Sequence, residues 1–245
     1  MNTKKPKVMA SKVIISGNVV EVYEFEDGCL YDFECPKNRT CSDVIPEEWQ
    51  GKRDDNLRRS RQMLRRIIWS NIGVNSKFLT LTYAENMQDY KVFIEDWRRF
   101  VQNLRRKGIK LQYVYVLEYQ ERGAIHAHVV IFNDEMLPLE AITNAWGRGF
   151  VKLNRIKDVK NLGAYVCKYL TKETLAEYGA HSYHASVGLI RPQEIKIDLD
   201  SRDTVEAYKS NIACSYSNTY SIPTFDADGN KIGEKTVKYM QGKWK

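Results

Sequence analysis

The sequence predicts an α+β fold in which helices flank a central antiparallel sheet. Three observations predict it. Runs rich in β-branched and aromatic residues alternate with segments whose apolar residues recur at helical spacing. Two strand-like runs, at 111–119 and 125–132, are joined by a hairpin-length loop containing Gly123. Hydrophobic residues make up 43% of the 245-residue chain, enough for a packed core. No run approaches the ~18 consecutive apolar residues that a membrane helix needs.

Each element has its own signal. Residues 12–24 read as two short strands around Ser16, Gly17 and Asn18. Residues 25–53 read as irregular. Asp54 or Asp55 can cap a helix running to about Asn71, with Leu57, Leu64, Ile67 and Ile68 on one face and arginines largely on the others. Phe78 to Tyr83 is a β-branched and aromatic run, hence a strand. Over 87–107, Phe93, Trp97, Phe100, Val101 and Leu104 repeat at helical spacing, and Gly108 is a natural stop. A helix at about 138–146, a strand at about 150–156 and a helix over 158–176 follow. Asp226 to Asn230 suggests a late hairpin. The linear division is an N-terminal extension (1–75) with a hairpin and a basic helix, a core (76–176) and a C-terminal extension (177–245).

The net charge of +7 favours a polyanionic partner. Lys52, Arg53, Arg58, Arg59, Arg61, Arg65 and Arg66 form one basic cluster, and Arg98, Arg99, Arg105, Arg106 and Lys107 another. Such clusters neutralise phosphates, although each alone also fits a solvated helix face. No GxxxxGK[ST] loop is present, so no nucleotide-driven motor is visible. The start, Met1 to Lys7, is basic, but Lys12 and Gly17 interrupt the only apolar candidate for a signal core. The expected location is cytoplasmic, with no membrane association. Five cysteines without a CxxC knuckle read as free thiols. The alternative is structural zinc on Cys29, Cys35 and Cys41 with His181 or His184.

His126 and His128 lie two apart on an expected strand, so both rings project from one face. A symmetric five-residue loop sets Glu118 opposite His126, and directly opposed residues share a face. Glu118, His126 and His128 can then converge on one cation. Two imidazoles and a carboxylate with open positions suit a catalytic divalent metal. Mg²⁺ or Mn²⁺ fits phosphate chemistry, and the same ligands accept Zn²⁺. Glu121, in the loop, is a rival third ligand.

Tyr165 and Tyr169 are four apart and stack on one face of the expected helix, with Lys168 and Lys172 extending the stripe. Leu162, Val166 and Leu170 form an adjacent apolar stripe. A phenol ionises at about pH 10, so nucleophilic use needs nearby positive charge or a base, and the lysines can supply the charge. The plainer reading makes both tyrosines half-buried packing residues.

Taken together, these stretches resemble the three motifs of the plasmid and phage rolling-circle replication initiators of the HUH endonuclease superfamily. The resemblance covers about residues 77–175. Phe78 to Tyr83 resembles the Thr-rich first motif. His126 and His128 resemble the metal-binding second motif, with Glu118 at the place of the third ligand. Tyr165, with Lys168 three residues on, resembles the nucleophile motif, and Tyr169 resembles the second tyrosine of phage-type initiators. Histidines preceding tyrosines argues against conjugative relaxases. Ser186 to Pro192 is similar to a stretch that follows the third motif.

The resemblance implies an HUH-type, RRM/ferredoxin-like core. It also implies catalytic roles for Tyr165, Tyr169 and Lys168 and a metal held by Glu118, His126 and His128. The implied substrate is single-stranded or hairpin origin DNA. Tyrosine attack would leave a 5′-phosphotyrosine link and a free 3′-OH, with a host helicase and polymerase as partners. Two other readings share parts of the pattern: a single-strand transposase of the same superfamily, and a non-catalytic nucleic-acid-binding module. The sequence leaves open which tyrosine acts first, and the oligomeric state.

Overall fold

The computed structural model describes residues 7–31, 49–133, 135, 137–156, 159–169, 183–225 and 231–245. They form two five-stranded antiparallel sheets with few helices, which is the expected α+β class. The strands are β1 (Lys7–Ser16), β2 (Val19–Tyr31), β3 (Lys77–Leu81), β4 (Tyr113–Tyr119), β5 (Ile125–Ile131), β6 (Val151–Arg155), β7 (His184–Ala185), β8 (Gln193–Asp198), β9 (Ile212–Phe225) and β10 (Lys231–Trp244). The helices are α1 (Trp49–Asn71), α2 (Tyr90–Arg106), α3 (Leu139–Trp146), α4 (Val159–Cys167) and α5 (Arg202–Ser210). No described helix is long and apolar enough to cross a membrane.

The chain forms two compact units. Residues 1–43 and 191–245 make one, and Val44–Ile190 the other. In the first, the sheet order is β8-β1-β2-β10-β9. The two segments that read as separate extensions therefore share one sheet: β10 pairs with β2, Gln241 opposite Glu21, and β8 pairs with β1. One face packs Val13, Val20, Val22 and Ile197 beneath Val205 of α5. The other carries Ile14, Tyr23 and Val237, with the Tyr23 and Tyr239 rings 4.9 Å apart.

Two boundaries differ from expectation. β2 runs on to Tyr31, because β1 follows it across a bulge between Met9 and Ser11 to the Lys7–Tyr31 pair. Gly28 permits this course, with φ of 71° and a Cβ position that would lie 2.6 Å from Val8 Cγ1. Helix α1 starts at Trp49, so Asp54 and Asp55 lie within it rather than at its cap. Asp55 instead meets Arg58 at 3.0 Å on the exposed surface. The turn expected at 226–230 lies outside the described residues, while β9 and β10 pair antiparallel on either side of it.

The second unit holds the order β6-β3-β5-β4-β7 between two helical layers. Successive side chains on each strand point to opposite faces. On one face Leu79, Leu81, Tyr115, Leu117 and Val129 pack under α2 and α3. Helix α2 presents Phe93, Trp97, Phe100 and Leu104 to this layer, as its spacing predicts. Its start is fixed by Asp89, whose carboxylate accepts from the amides of Lys91 (2.7 Å) and Val92 (3.3 Å). Its end is followed by Gly108 at φ 81°. On the opposite face Phe78, Val114, Val116 and Val130 pack with Leu57, Leu64, Ile67 and Ile68 of α1 and with Leu162 and Val166 of α4.

The expected helix over 158–176 is described as far as Cys167, and Lys168 and Tyr169 form a turn after it. The Tyr169 amide donates to the Val166 carbonyl at 3.2 Å, a tightened last turn. Leu170 and Lys172 lie outside the described residues, as do Cys35, Cys41 and His181. His184, the other histidine of the zinc alternative, shares a 3.1 Å hydrogen bond with Tyr90 and stacks on Tyr115 at 4.8 Å.

Candidate functional site

The hairpin of β4 and β5 builds the centre of the site. Its loop closes through the Gln120 amide to the Ala124 carbonyl (3.0 Å) and the Gly123 amide to the Gln120 carbonyl (2.7 Å). Gly123 takes φ of 83°, which a side chain rarely allows. This turn sets the register with Glu118 opposite His126 and Val116 opposite His128. Glu118, His126 and His128 therefore lie on one face, the one covered by α1 and α4.

Within that face Glu118 and His128 already meet, with Oε2 and Nε2 2.7 Å apart. His128 is only 5% exposed. Burial lowers its pKa below the ordinary value, and the hydrogen bond to Glu118 opposes that effect. The neutral ring thus donates from Nε2 to the carboxylate, a tautomer assigned from the network. Its other nitrogen, Nδ1, is buried with no hydrogen-bond partner. His126 is more open, and burial and then the nearby His128 also lower its pKa.

The donor set fits a divalent cation in part. The 2.7 Å between Glu118 and His128 is close to the roughly 3 Å between neighbouring donors on an ion with bonds of about 2.1 Å. The His126 and His128 rings are 6.5 Å apart between centroids, so His126 needs a side-chain rotation to join them. Among the described residues, no three such side chains converge on one point.

The tyrosines come to the same place. The Tyr169 ring stacks on His128 at 3.7 Å, and Phe78 of β3 stacks on His128 at 5.9 Å. The Tyr169 hydroxyl donates to the Tyr165 hydroxyl at 2.8 Å. Lys168 holds its ammonium 4.1 Å from the Tyr165 ring centroid and 4.7 Å from that of Tyr169.

The two tyrosines are not equivalent, as an even helical stripe would have made them. Tyr165 is 42% exposed, whereas Tyr169, in the turn, is 8% exposed. Burial, then the hydrogen bond to Tyr165, pushes the Tyr169 pKa well above that of an ordinary phenol. Glu121 stays exposed in the loop, outside this cluster.

The structure adds neighbours that the sequence did not single out. Thr80 stands opposite His128, and Lys152 of β6 stands opposite Thr80, so both share the face of the histidines. The strand at 150–156 was legible, but its pairing with β3 leaves no local trace. The basic clusters separate: α1 packs on the histidine face and α2 on the other. Arg99 of α2 is engaged with Glu95 and Asp96.

Residues 76–174 match the family model of replication-associated proteins of the ORF2 and gene 2 protein kind. The matched stretch runs from the start of β3 past the tyrosine turn and is less than half of the chain. It supports a replication initiator family, a replication-related role and DNA binding. Comparison with curated proteins gave no match, and comparison with solved structures gave none.

Proposed function

We propose that this protein initiates replication by nicking single-stranded origin DNA with Tyr165. The observation that carries the reading is the contact chain Glu118–His128–Tyr169–Tyr165, which joins two separate sequence motifs at one point of the sheet. The family match over residues 76–174 supports the replication setting.

Tyr165 is the better first nucleophile. It is open to solvent, and Tyr169 already donates a hydrogen bond to its oxygen. That donation steadies a phenolate at Tyr165 while burial keeps Tyr169 protonated. In the reaction the Tyr165 oxygen bonds to phosphorus and the bond from phosphorus to the 3′ oxygen breaks. The phenolic proton is released to solvent and the 3′ oxygen takes up a proton. The products are a 5′-phosphotyrosine link and a free 3′-OH, which a host polymerase can extend while a host helicase unwinds the template. The ester retains the bond energy, so resealing needs no nucleotide. Lys168, beside both rings, offsets phosphate charge.

Glu118, His126 and His128 would hold Mg²⁺ or Mn²⁺, which when bound supplies positive charge at the scissile phosphate. The unpartnered Nδ1 of His128 supports a role for this ring beyond packing.

The test is a denaturation-resistant adduct formed from the protein, Mn²⁺ and a single-stranded oligonucleotide library. The expected adduct maps to Tyr165 by mass spectrometry and disappears in Tyr165→Phe and His126→Ala. Folded protein that yields no adduct with either metal sinks the proposal.

A further inference from the structure

The free edge of the second sheet presents an open ring and a cation on the face that carries the histidines. β6 is an edge strand. Val151 and Leu153 pack toward α2 and α3, while Ile156 packs on the other side. Alternation therefore turns Phe150, Lys152 and Asn154 to the face of Thr80, His126 and His128.

Phe150 is 66% exposed, yet its backbone is tightly held. Its carbonyl accepts from the Thr82 amide at 3.0 Å, and its amide donates to Thr82 Oγ1 at 3.2 Å. The preceding Gly149 lies so close to the same strand that a Cβ there would be 2.5 Å from the Thr82 carbonyl oxygen. A large apolar ring is thus displayed to solvent on a fixed base, which limits the ordering cost of binding. Lys152 is exposed two residues on, opposite Thr80. Strands about 4.8 Å apart place β6 about 10 Å from β5, so one extended strand can serve both sites.

We propose that Phe150 and Lys152 form a subsite for the unpaired DNA strand beside the catalytic cluster. Phe150 stacks on a base and Lys152 contacts a backbone phosphate. This rests on the single-strand reading of the proposed function. The occupant follows from chemistry. A ring and a cation side by side match a base and its phosphate, and the +7 chain favours an anion. Only an unpaired base offers its flat face to the ring, so duplex DNA does not fit.

The test uses Tyr165→Phe protein, which removes the nucleophile, with fluorescein-labelled oligothymidylate in metal-free buffer, read by anisotropy. Adding Phe150→Ala is expected to weaken binding about tenfold. Adding Phe150→Trp is expected to keep it. Adding Lys152→Gln is expected to weaken it and to lower the slope of log K against log salt by about 0.7. Binding within twofold of the parent in Phe150→Ala, with an unchanged circular dichroism spectrum, overturns the subsite, and so does a parent that binds no oligothymidylate. The two proposals fail separately. A Phe150→Ala loss without any tyrosine adduct keeps the subsite and removes the nickase, whereas an adduct without that loss does the reverse.

Discussion

Replacing each tyrosine by phenylalanine separates nucleophile from helper. Tyr169→Phe keeps the ring that stacks on His128 at 3.7 Å and removes only the hydroxyl that donates to Tyr165 at 2.8 Å. One such hydrogen bond contributes about 0.5–1.5 kcal/mol. If all of it acts on the attacking oxygen, the first cleavage slows about two- to twelvefold. Tyr165→Phe removes the attacking oxygen itself. The remaining hydroxyl, on Tyr169, is buried, and that burial holds its pKa well above the ordinary phenol value. First cleavage is therefore expected to fall by at least about a thousandfold. The assay is single-turnover cleavage of an end-labelled single-stranded oligonucleotide with Mn²⁺, with both variants shown to be folded. The reasoning is refuted if Tyr165→Phe stays within tenfold of the parent, or if Tyr169→Phe loses cleavage altogether.

Four further outcomes are expected. Chelation of divalent metal by EDTA abolishes adduct formation and excess Mn²⁺ restores it; full activity in EDTA would remove the metal from the proposal. Gly149→Ala drives a Cβ to 2.5 Å from the Thr82 carbonyl oxygen and 2.6 Å from the Ala84 amide, which costs about 1–3 kcal/mol. An unchanged urea midpoint would contradict that close approach. Asp96→Ala leaves the buried Tyr83 hydroxyl without the carboxylate it donates to at 3.2 Å and frees Arg148 from a 2.9 Å ion pair. The expected cost is about 1–3 kcal/mol, read from the same denaturation curve. Burial pushes the Cys167 thiol up to about 11 from 9.0. The buried thiol thus favours the folded state fully below pH 9 and loses that contribution as pH rises through about 11. At about pH 8 iodoacetamide should label Cys214, which is exposed, well before Cys167, and equal rates by mass spectrometry would contradict the burial.

What the sequence disclosed was local. The Glu118–His126 register follows from a five-residue loop with glycine, and α2 follows from one apolar stripe with an acidic cap and a terminal glycine. Thr80 and Lys152 reach the histidines only because β6 pairs with β3, across about seventy residues of chain, and no periodicity encodes that pairing. The same limit hid the shared sheet of β2 and β10. Boundaries blurred where composition pointed the wrong way. Glu24 to Gly28 reads as a turn, yet it lies within β2, and Asp54 and Asp55 read as caps but sit in a longer helix. The unequal tyrosines were hidden for another reason: an ideal helix projects both equally, and only the tightened turn at Tyr169 sends one inward.

The sheet that joins β2 to β10 sets a timetable during synthesis. The β1–β2 hairpin is among the first segments to leave the ribosome, but its outer neighbour ends at Trp244. At about 5–20 residues per second, β2 waits roughly 10–40 s with an unpaired edge before β10 emerges. All of Val44–Ile190 is made within that interval and can fold first, since its strands pair with one another. The early hairpin must stay soluble meanwhile. Glu24 and Glu26 along that edge, one of them later matched to Lys238, supply charge that discourages pairing with a neighbouring nascent chain.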